Sequence, residues 1–410
     1  MTTFEELYKK LLSESSNTNQ EELQKIKDLE YDPYHLDCLL NSEKDNLISK
    51  IEDFKKDENG KSKFRCIYES LKNSDMVEDE ENCNECVCNI ESCKGKNIKK
   101  NRDIMAVLKA LKNKNGPVYA LIAPAFQGQF SEAVTPGKLR SAFKEIGFDG
   151  MVEVALFADI LTLKEALEFD KNIQSEQDYQ LTSCCCPVWI AMIRKKYKEL
   201  IPHVPGSVSP MIACGRTVKK LHPNATTVFI GPCVAKKAEA KEEDIKDAVD
   251  IVLTFNEVND IFSFAEVNPA DMEESAKDHS SYTGRIYARS GGVSEAVKAT
   301  VERLNPNKEI KIKTEKAQGV RECKRMVNDL INGETKANFF EGMGCIGGCV
   351  GGPKRILDVE QGTRNVDAYG ESAKYKTPID NPYVIELLHR LGFDTVEKFL
   401  SDSDIFERHF

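Results

Sequence analysis

Histidine is scarce in this sequence: 6 residues in 410, scattered along the chain. A His-rich zinc or haem site is therefore a poor fit. Positive charge is also short, with 57 Lys and Arg against 67 Asp and Glu, a net charge of −10. Non-specific nucleic-acid binding needs clustered positive charge, so it is disfavoured. No apolar run approaches the roughly 18 residues that span a bilayer. The first residues, MTTFEELYKK, carry acidic groups and no apolar core, unlike a secretory leader. No internal repeat or low-complexity segment stands out. The expectation is a cytoplasmic protein with no membrane and no nucleic-acid partner. At 40% hydrophobic residues the chain can bury a sizeable core. Its length suits two or three domains, or one large domain with appendages.

Cysteine, in contrast, is plentiful. There are fourteen, six before residue 94 and eight after residue 183. In a reducing compartment that number points to metal binding or catalysis rather than disulfides. The most telling stretch is Glu341 to Pro353, EGMGCIGGCVGGP. Cys345 and Cys349 stand four apart among six glycines, with no charge after Glu341. That spacing puts two thiolates on one side of a tight turn or loop. Glycines let backbone approach something bulky and accept φ > 0. A chain wraps an inorganic cluster in this way. The plainer reading is a glycine-rich turn with two buried cysteines.

Residues 1 to about 60 read as polar helix, and Cys38 there as a small buried hydrophobe. Residues 83 to 93, CNECVCNIESC, hold Cys83, Cys86, Cys88 and Cys93. They suit a four-cysteine site, either tetrahedral zinc or, preferred here, an accessory 4Fe-4S cluster. Cys66 stands as a substitute ligand for Cys88. From Val118 the composition changes. VYALIAPAF (118–126), GMVEVALFA (150–158), TTVFIGPC (226–233) and DIVLTFNEV near 250 read as buried parallel strands. Helices are expected at 136–146 and from 160 to 169. This alternation predicts an α/β fold with mostly parallel sheets flanked by helices. Ligands in such sheets lie beyond the carboxyl ends of the strands. The expected division is a helical N-terminal region at 1–80, an iron–sulfur segment at 81–116, an α/β domain at 117–375, which the resemblance given below implies to be catalytic, and a helical tail at 376–410.

Three loops carry chemistry. TSCCCPVW (182–189) holds Cys184, Cys185 and Cys186, GPCVAKKAE (231–239) holds Cys233 and two lysines, and the glycine loop holds Cys345 and Cys349. Cys186, Cys233, Cys345 and Cys349 give four thiolates, the number a cubane cluster needs. Three consecutive cysteines exceed what one loop must give, so a thiol is left for another use such as proton transfer.

These loops resemble the three signature motifs of the iron-only hydrogenases: TSCCP-x-W, PC-x-x-K-x-x-E and a C-x-x-x-C glycine loop. The resemblance spans roughly residues 117 to 375. It implies an H-cluster, a cubane joined through one cysteine sulfur to a diiron unit bearing CO, cyanide and a bridging dithiolate. By resemblance, Cys186, Cys233, Cys345 and Cys349 hold the cubane, and Cys349 bridges to the diiron unit. Cys185 resembles the thiol that passes protons, and Lys236 the lysine that donates to a cyanide. Met343, Ala123 and Pro124 resemble contacts to the diiron unit. Glu165 and Glu168, three apart and on one helical face, resemble the two relay glutamates. The plainer reading of that pair is a solvated acidic face.

The sequence departs from the pattern in places. Cys184 is inserted beside the common pair, and Gly231 replaces the usual methionine before Pro232. Gly344 and Ile346 flank Cys345. Pro205 stands where the relay serine is expected, leaving Ser207 or a water to fill the gap. These features place the chain in a divergent branch. The resemblance implies reversible proton reduction, a ferredoxin-like electron partner and dedicated maturation proteins. The rival readings are a non-catalytic hydrogenase-like iron–sulfur assembly protein and a hydrogen sensor. Cys185 and Lys236 discriminate, because a protein holding only cubanes needs neither.

Overall fold

A computed structural model describes Thr3 and residues 101–182, 185–275, 277–401 and 404–408. The expectations for Cys38, Cys66, Cys83, Cys86, Cys88, Cys93 and Cys184 lie outside these residues.

The described chain alternates helices and strands. It begins with α1 (Arg102–Lys112), β1 (Val118–Ile122), α2 (Pro136–Glu145), β2 (Gly150–Glu153) and α3 (Ala155–Asn172). Next come β3 (Gln180–Leu181), α4 (Pro187–Lys196), α5 (Pro210–Leu221), β4 (Thr226–Gly231) and α6 (Ala235–Glu239). Then follow β5 (Ile251–Thr254), α7 (Phe255–Phe264), α8 (Tyr282–Arg285), α9 (Gly292–Leu304), β6 (Thr314–Gln318) and α10 (Gly319–Ile331). Last are β7 (Phe339–Met343), α11 (Val359–Glu371), α12 (Pro382–Arg390) and α13 (Val396–Ser401).

The strands form two sheets, ordered β2-β1-β4-β5 and β3-β7-β6, with every pair parallel. This is the expected α/β architecture. β1 is buried along its whole length, as a central strand covered on both faces must be. In β1, Ala120 pairs with Met151 on one side and Val228 on the other, so the first, second and fourth strands end at one level.

One expected strand is shorter than its apolar run. Residues 150–158 were expected to be extended, yet the strand stops at Glu153 and α3 starts at Ala155. The helix therefore begins five residues before position 160. Its first ten residues are all buried, so no polar face marks the change of period. At the other predicted strands the ends also turn early: Pro124–Phe126 is a 3₁₀ turn, and α7 begins directly after Thr254. A capping box starts α7, with Glu257 and Thr254 exchanging hydrogen bonds.

α3 is pinned at Asp159, which is fully buried. Its carboxylate accepts from the backbone N–H and hydroxyl of Ser281, from Thr283 and from Asn381. Leu387 and Leu388 on α12, Phe399 on α13 and Phe406 share one apolar core with β1 and β4. The segment 406–408 runs antiparallel to 206–208: Val208 N–H donates to Phe406 O at 3.0 Å and Arg408 N–H to Gly206 O at 2.9 Å. No helix of the described residues is long and apolar enough to cross a membrane.

Candidate metal centre

The carboxyl ends of both sheets bring the three cysteine loops together. Cys233 lies two residues past β4, in the turn that leads into α6. Cys186 caps the N-terminus of α4, with Pro187 as the first helical residue. The positive end of a helix favours a thiolate there. Cys345 lies two residues past β7, and Cys349 opens a 3₁₀ turn, Cys349–Gly351. The backbone N–H of Gly344 donates to Cys186 Sγ at 3.3 Å, joining the first loop to the third. Lys354 N–H donates to Pro232 O at 3.0 Å, joining the third to the second.

The glycines here are forced by close approach. A Cβ on Gly342 would fall 2.0 Å from the Trp189 ring, so only glycine lets α4 lie against β7. Gly348 has φ +83, and a Cβ there would meet the backbone N of Ser290 at 2.6 Å. The loop is anchored further by Gln318, whose side-chain oxygen accepts from Gly347 N–H at 2.7 Å.

The four thiols feel one another electrostatically. Cys349 is partly buried, and its pKa is driven far up by desolvation, then by Cys186 and Cys233, with Lys236 opposing. Desolvation, Cys233 and Cys186 push Cys345 up to about 11, and desolvation leads the rise at Cys233. Four such thiols cannot all ionise without cationic charge among them, and a metal core supplies it. Among the described residues, no three His, Cys, Asp or Glu side chains converge to hold one metal ion. Four thiols are the number a cubane cluster takes.

Lys236 supports the same fit. Its ammonium is buried, 2.7 Å from Glu239 Oε2, yet its geometry makes no hydrogen bond. Burial pulls its pKa down, but the adjacent Glu239 carboxylate and the thiols Cys233 and Cys349 outweigh that and hold it raised. A charged donor with unused N–H groups faces the thiol set, ready for an acceptor.

Met343 is buried at the end of β7, in an apolar cluster with Phe169, Tyr287 and Val293. Cys185 and Cys349 pack against that cluster. Ala123 donates its N–H to Ile230 O at 2.9 Å, where β1 and β4 end side by side. A Cβ on Gly231 would already lie 2.9 Å from that of Ala123, so Ala123, the residue before Pro124, sits hard against the second loop. The Phe229 ring closes the same space, its Cε1 3.0 Å from that point.

The structure places Cys185 beside Glu165. The thiol's pKa lies well above its ordinary value through desolvation, then the charge of Glu165, with Cys186, Glu341 and Cys349 adding to it. Glu165 is buried on α3, so the plainer reading of an exposed acidic face fails for it. Glu168, one turn on, lies 2.5 Å from Lys164 Nζ. Its pKa is raised by desolvation, against the lowering by Lys164. Ser207 is fully buried and its hydroxyl has no hydrogen-bond partner, whereas Pro205 offers no hydroxyl at all.

One further residue matters. Glu341 is fully buried in β7 and accepts the N–H groups of Gly291 and Ser294, both at 2.7 Å. It thereby caps α9 and fixes that helix against the glycine loop. Its signal in the sequence was the lone charge at the start of an uncharged, glycine-rich stretch.

An α/β scaffold that gathers four thiols at its strand ends is that of an iron–sulfur protein. The chain matches the family described as iron only hydrogenase large subunit, C-terminal domain, over residues 116–353, and it belongs to that family. It is 28% identical over 275 residues to iron hydrogenase 1 of Clostridium pasteurianum, covering 57% of this chain and 48% of that one. The chain thus spans about half the length of that relative. It is also 25% identical over 316 residues to cytosolic iron-sulfur assembly component 3 of Pongo abelii, covering 63% and 66%. Among solved structures, a variant of the FeFe-hydrogenase HydA1 from Chlamydomonas reinhardtii shares the fold. Its TM-score is 0.63 at 20% identity, over 75% of this chain and 98% of that one.

Proposed function

We propose that the chain is an iron-only hydrogenase that interconverts protons and molecular hydrogen. The observation that carries this reading is the pair Cys185 and Lys236 facing the same thiol set. A protein that held only a cubane would need neither a buried proton-bearing thiol nor an unsatisfied ammonium. In this reading Cys186, Cys233, Cys345 and Cys349 would hold the H-cluster. Lys236 donates to a cyanide, while Ala123, Pro124 and Met343 wall the diiron unit. When bound, that group would supply the metal at which two protons and two electrons from the redox partner combine as hydrogen.

The chain's own residues handle the proton. Cys185 holds it nearest the site, and Glu165, buried behind Cys185, exchanges it with the interior of the protein. Met343 and its apolar neighbours exclude water, which keeps the thiol neutral and able to give up a proton only to a committed acceptor. Ser207 takes the place of the hydroxyl that Pro205 lacks, and Glu168 follows. An accessory 4Fe-4S cluster on Cys83, Cys86, Cys88 and Cys93 relays electrons from a ferredoxin-like protein in the cytoplasm. Maturation proteins supply the diiron unit, because nothing in this chain makes CO or cyanide.

Infrared spectroscopy of protein produced with the maturation proteins tests this. Bands of CO and cyanide together with hydrogen evolution are expected, and protein made without maturation is expected to hold cubanes and evolve none. A second reading, an iron–sulfur assembly factor, is favoured by the likeness to cytosolic iron-sulfur assembly component 3. Matured protein free of CO and cyanide bands, with its cubanes intact, would establish that reading instead.

A further inference from the structure

Three ionisable side chains meet where α3 faces the C-terminal segment. Lys164 is 1% exposed and its ammonium lies 2.5 Å from Glu168 and 3.9 Å from Glu407. Glu407 is held in place by backbone pairing. The bonds from Val208 to Phe406 and from Arg408 to Gly206 flank the pair Ser207 and Glu407, which makes them a non-hydrogen-bonded antiparallel pair. In such a pair the two side chains lie on the same face, with Cα atoms about 4.5 Å apart. Ser207 and Glu407 therefore point into one space, and the Glu407 carboxylate marks that space as the one beside Lys164. The buried, unpartnered Ser207 hydroxyl opens onto it as well. Arg216 secures the segment from outside, donating to the carbonyls of Asp404 and Glu407 at 2.8 and 3.0 Å.

We propose that Glu407 is the outlet of the proton path, coupled to Glu168 by the shared ammonium of Lys164. This deepens the hydrogenase reading and rests on it. With the ammonium charged, the three groups carry a net charge of −1 and become neutral on taking up one proton. A proton arriving through Ser207 neutralises Glu168. It then passes to Glu407, whose side chain is 20% exposed, and from there to water, leaving both carboxylates ionised again. The charges that act on Glu168 are Lys164 and Lys171 on its own helix and Glu407 across from it. Lys164 is a positioning residue here, and Glu407 a proton carrier. Burial and the Glu407 charge raise the Glu168 pKa, and Lys164 lowers it, so each partner leaves a separate mark on one titration.

The test uses two readouts on the full chain. The first is infrared titration of the carboxyl band in protein made without maturation, with Glu168→Gln identifying the band. The Glu168 midpoint is expected to fall in Glu407→Gln and to rise in Lys164→Met. The second is hydrogen turnover of matured protein against pH. Glu407→Gln is expected to lose about 10²-fold, the low end for a positioned proton carrier, and Glu407→Asp to recover much of it. Ser207→Ala is expected to lose turnover without moving the diiron infrared bands. An unmoved Glu168 midpoint, or wild-type turnover in Glu407→Gln, would overturn the outlet while hydrogen evolution by wild type kept the hydrogenase reading intact. Matured wild type that evolves no hydrogen would overturn both.

Discussion

The two sides of the candidate site handle charge in opposite ways. On the thiol side, Cys233 and Cys349 share the ammonium of Lys236, which already leans on Glu239. Charge there is unbalanced, and every shifted thiol among them is pushed toward its neutral form. On the acid side, Lys164 stands between Glu168 and Glu407. That side is nearly balanced without any guest. The thiol half therefore calls for a cationic occupant to balance it, and the acid half does not.

Removing a thiol is expected to have the largest effect. Cys345→Ser or Cys186→Ser is expected to lose the cluster of the catalytic domain and all hydrogen turnover, read as iron content and as absence of the diiron bands. Iron retained at wild-type level would remove these residues from the ligand set. Breaking the junction between the two sides is expected to be nearly as severe. Cys185→Ala and Glu165→Gln should each cut turnover by about 10²-fold or more, with the infrared bands of the diiron unit still present. Near-normal turnover in Glu165→Gln would mean that protons leave by another route.

A third prediction concerns stability instead of turnover. Asp159 is fully buried, and desolvation raises its pKa to about 6, against the lowering by its Ser281, Asn381 and Thr283 hydrogen bonds. The folded state therefore binds the proton more tightly than the unfolded chain. The stability this gives is complete below the unfolded value of 3.8 and is lost as pH rises toward 6. The loss is on the order of 3 kcal/mol, from about 1.4 kcal/mol per pKa unit. Denaturant titrations of Asp159→Asn across pH 4 to 6 should show a flatter dependence than wild type. An unchanged slope would mean that other groups set it. The smallest effect is expected outside the catalytic domain. Replacing Cys83 and Cys86 together with serine should slow turnover with a protein electron donor and leave the diiron bands unchanged. Iron content equal to wild type in that variant would end the idea of an electron relay there.

The motif loops were legible because their chemistry is local. A cysteine followed by proline, or two cysteines among glycines, means much the same in any fold. The alternation of apolar runs showed the first sheet for a similar reason, since β1 is buried throughout and β4 and β5 are buried after their first residue. The second sheet was not visible. β3 has two residues, β6 reads TEKAQ and is largely exposed, and β7 is broken by Gly342. Such strands are fixed by their neighbours rather than by their own pattern. Glu407 was invisible for a related reason. Nothing near it in sequence sets it apart, and only its pairing with Ser207, two hundred residues away, places it beside Lys164.

The tight turns of the glycine loop have a consequence for how the protein is made. Cys349 leaves the ribosome about 160 residues after Cys186. At roughly 5–20 residues per second, the first thiol waits on the order of 10–30 s for the last. The loop that brings them together needs β6 and β7 already paired, since Gln318 and Met343 sit at the ends of those strands. Cluster insertion is therefore a task for the completed chain, and a nascent chain stalled before residue 349 would expose reactive sulfur to any stray metal in the cell.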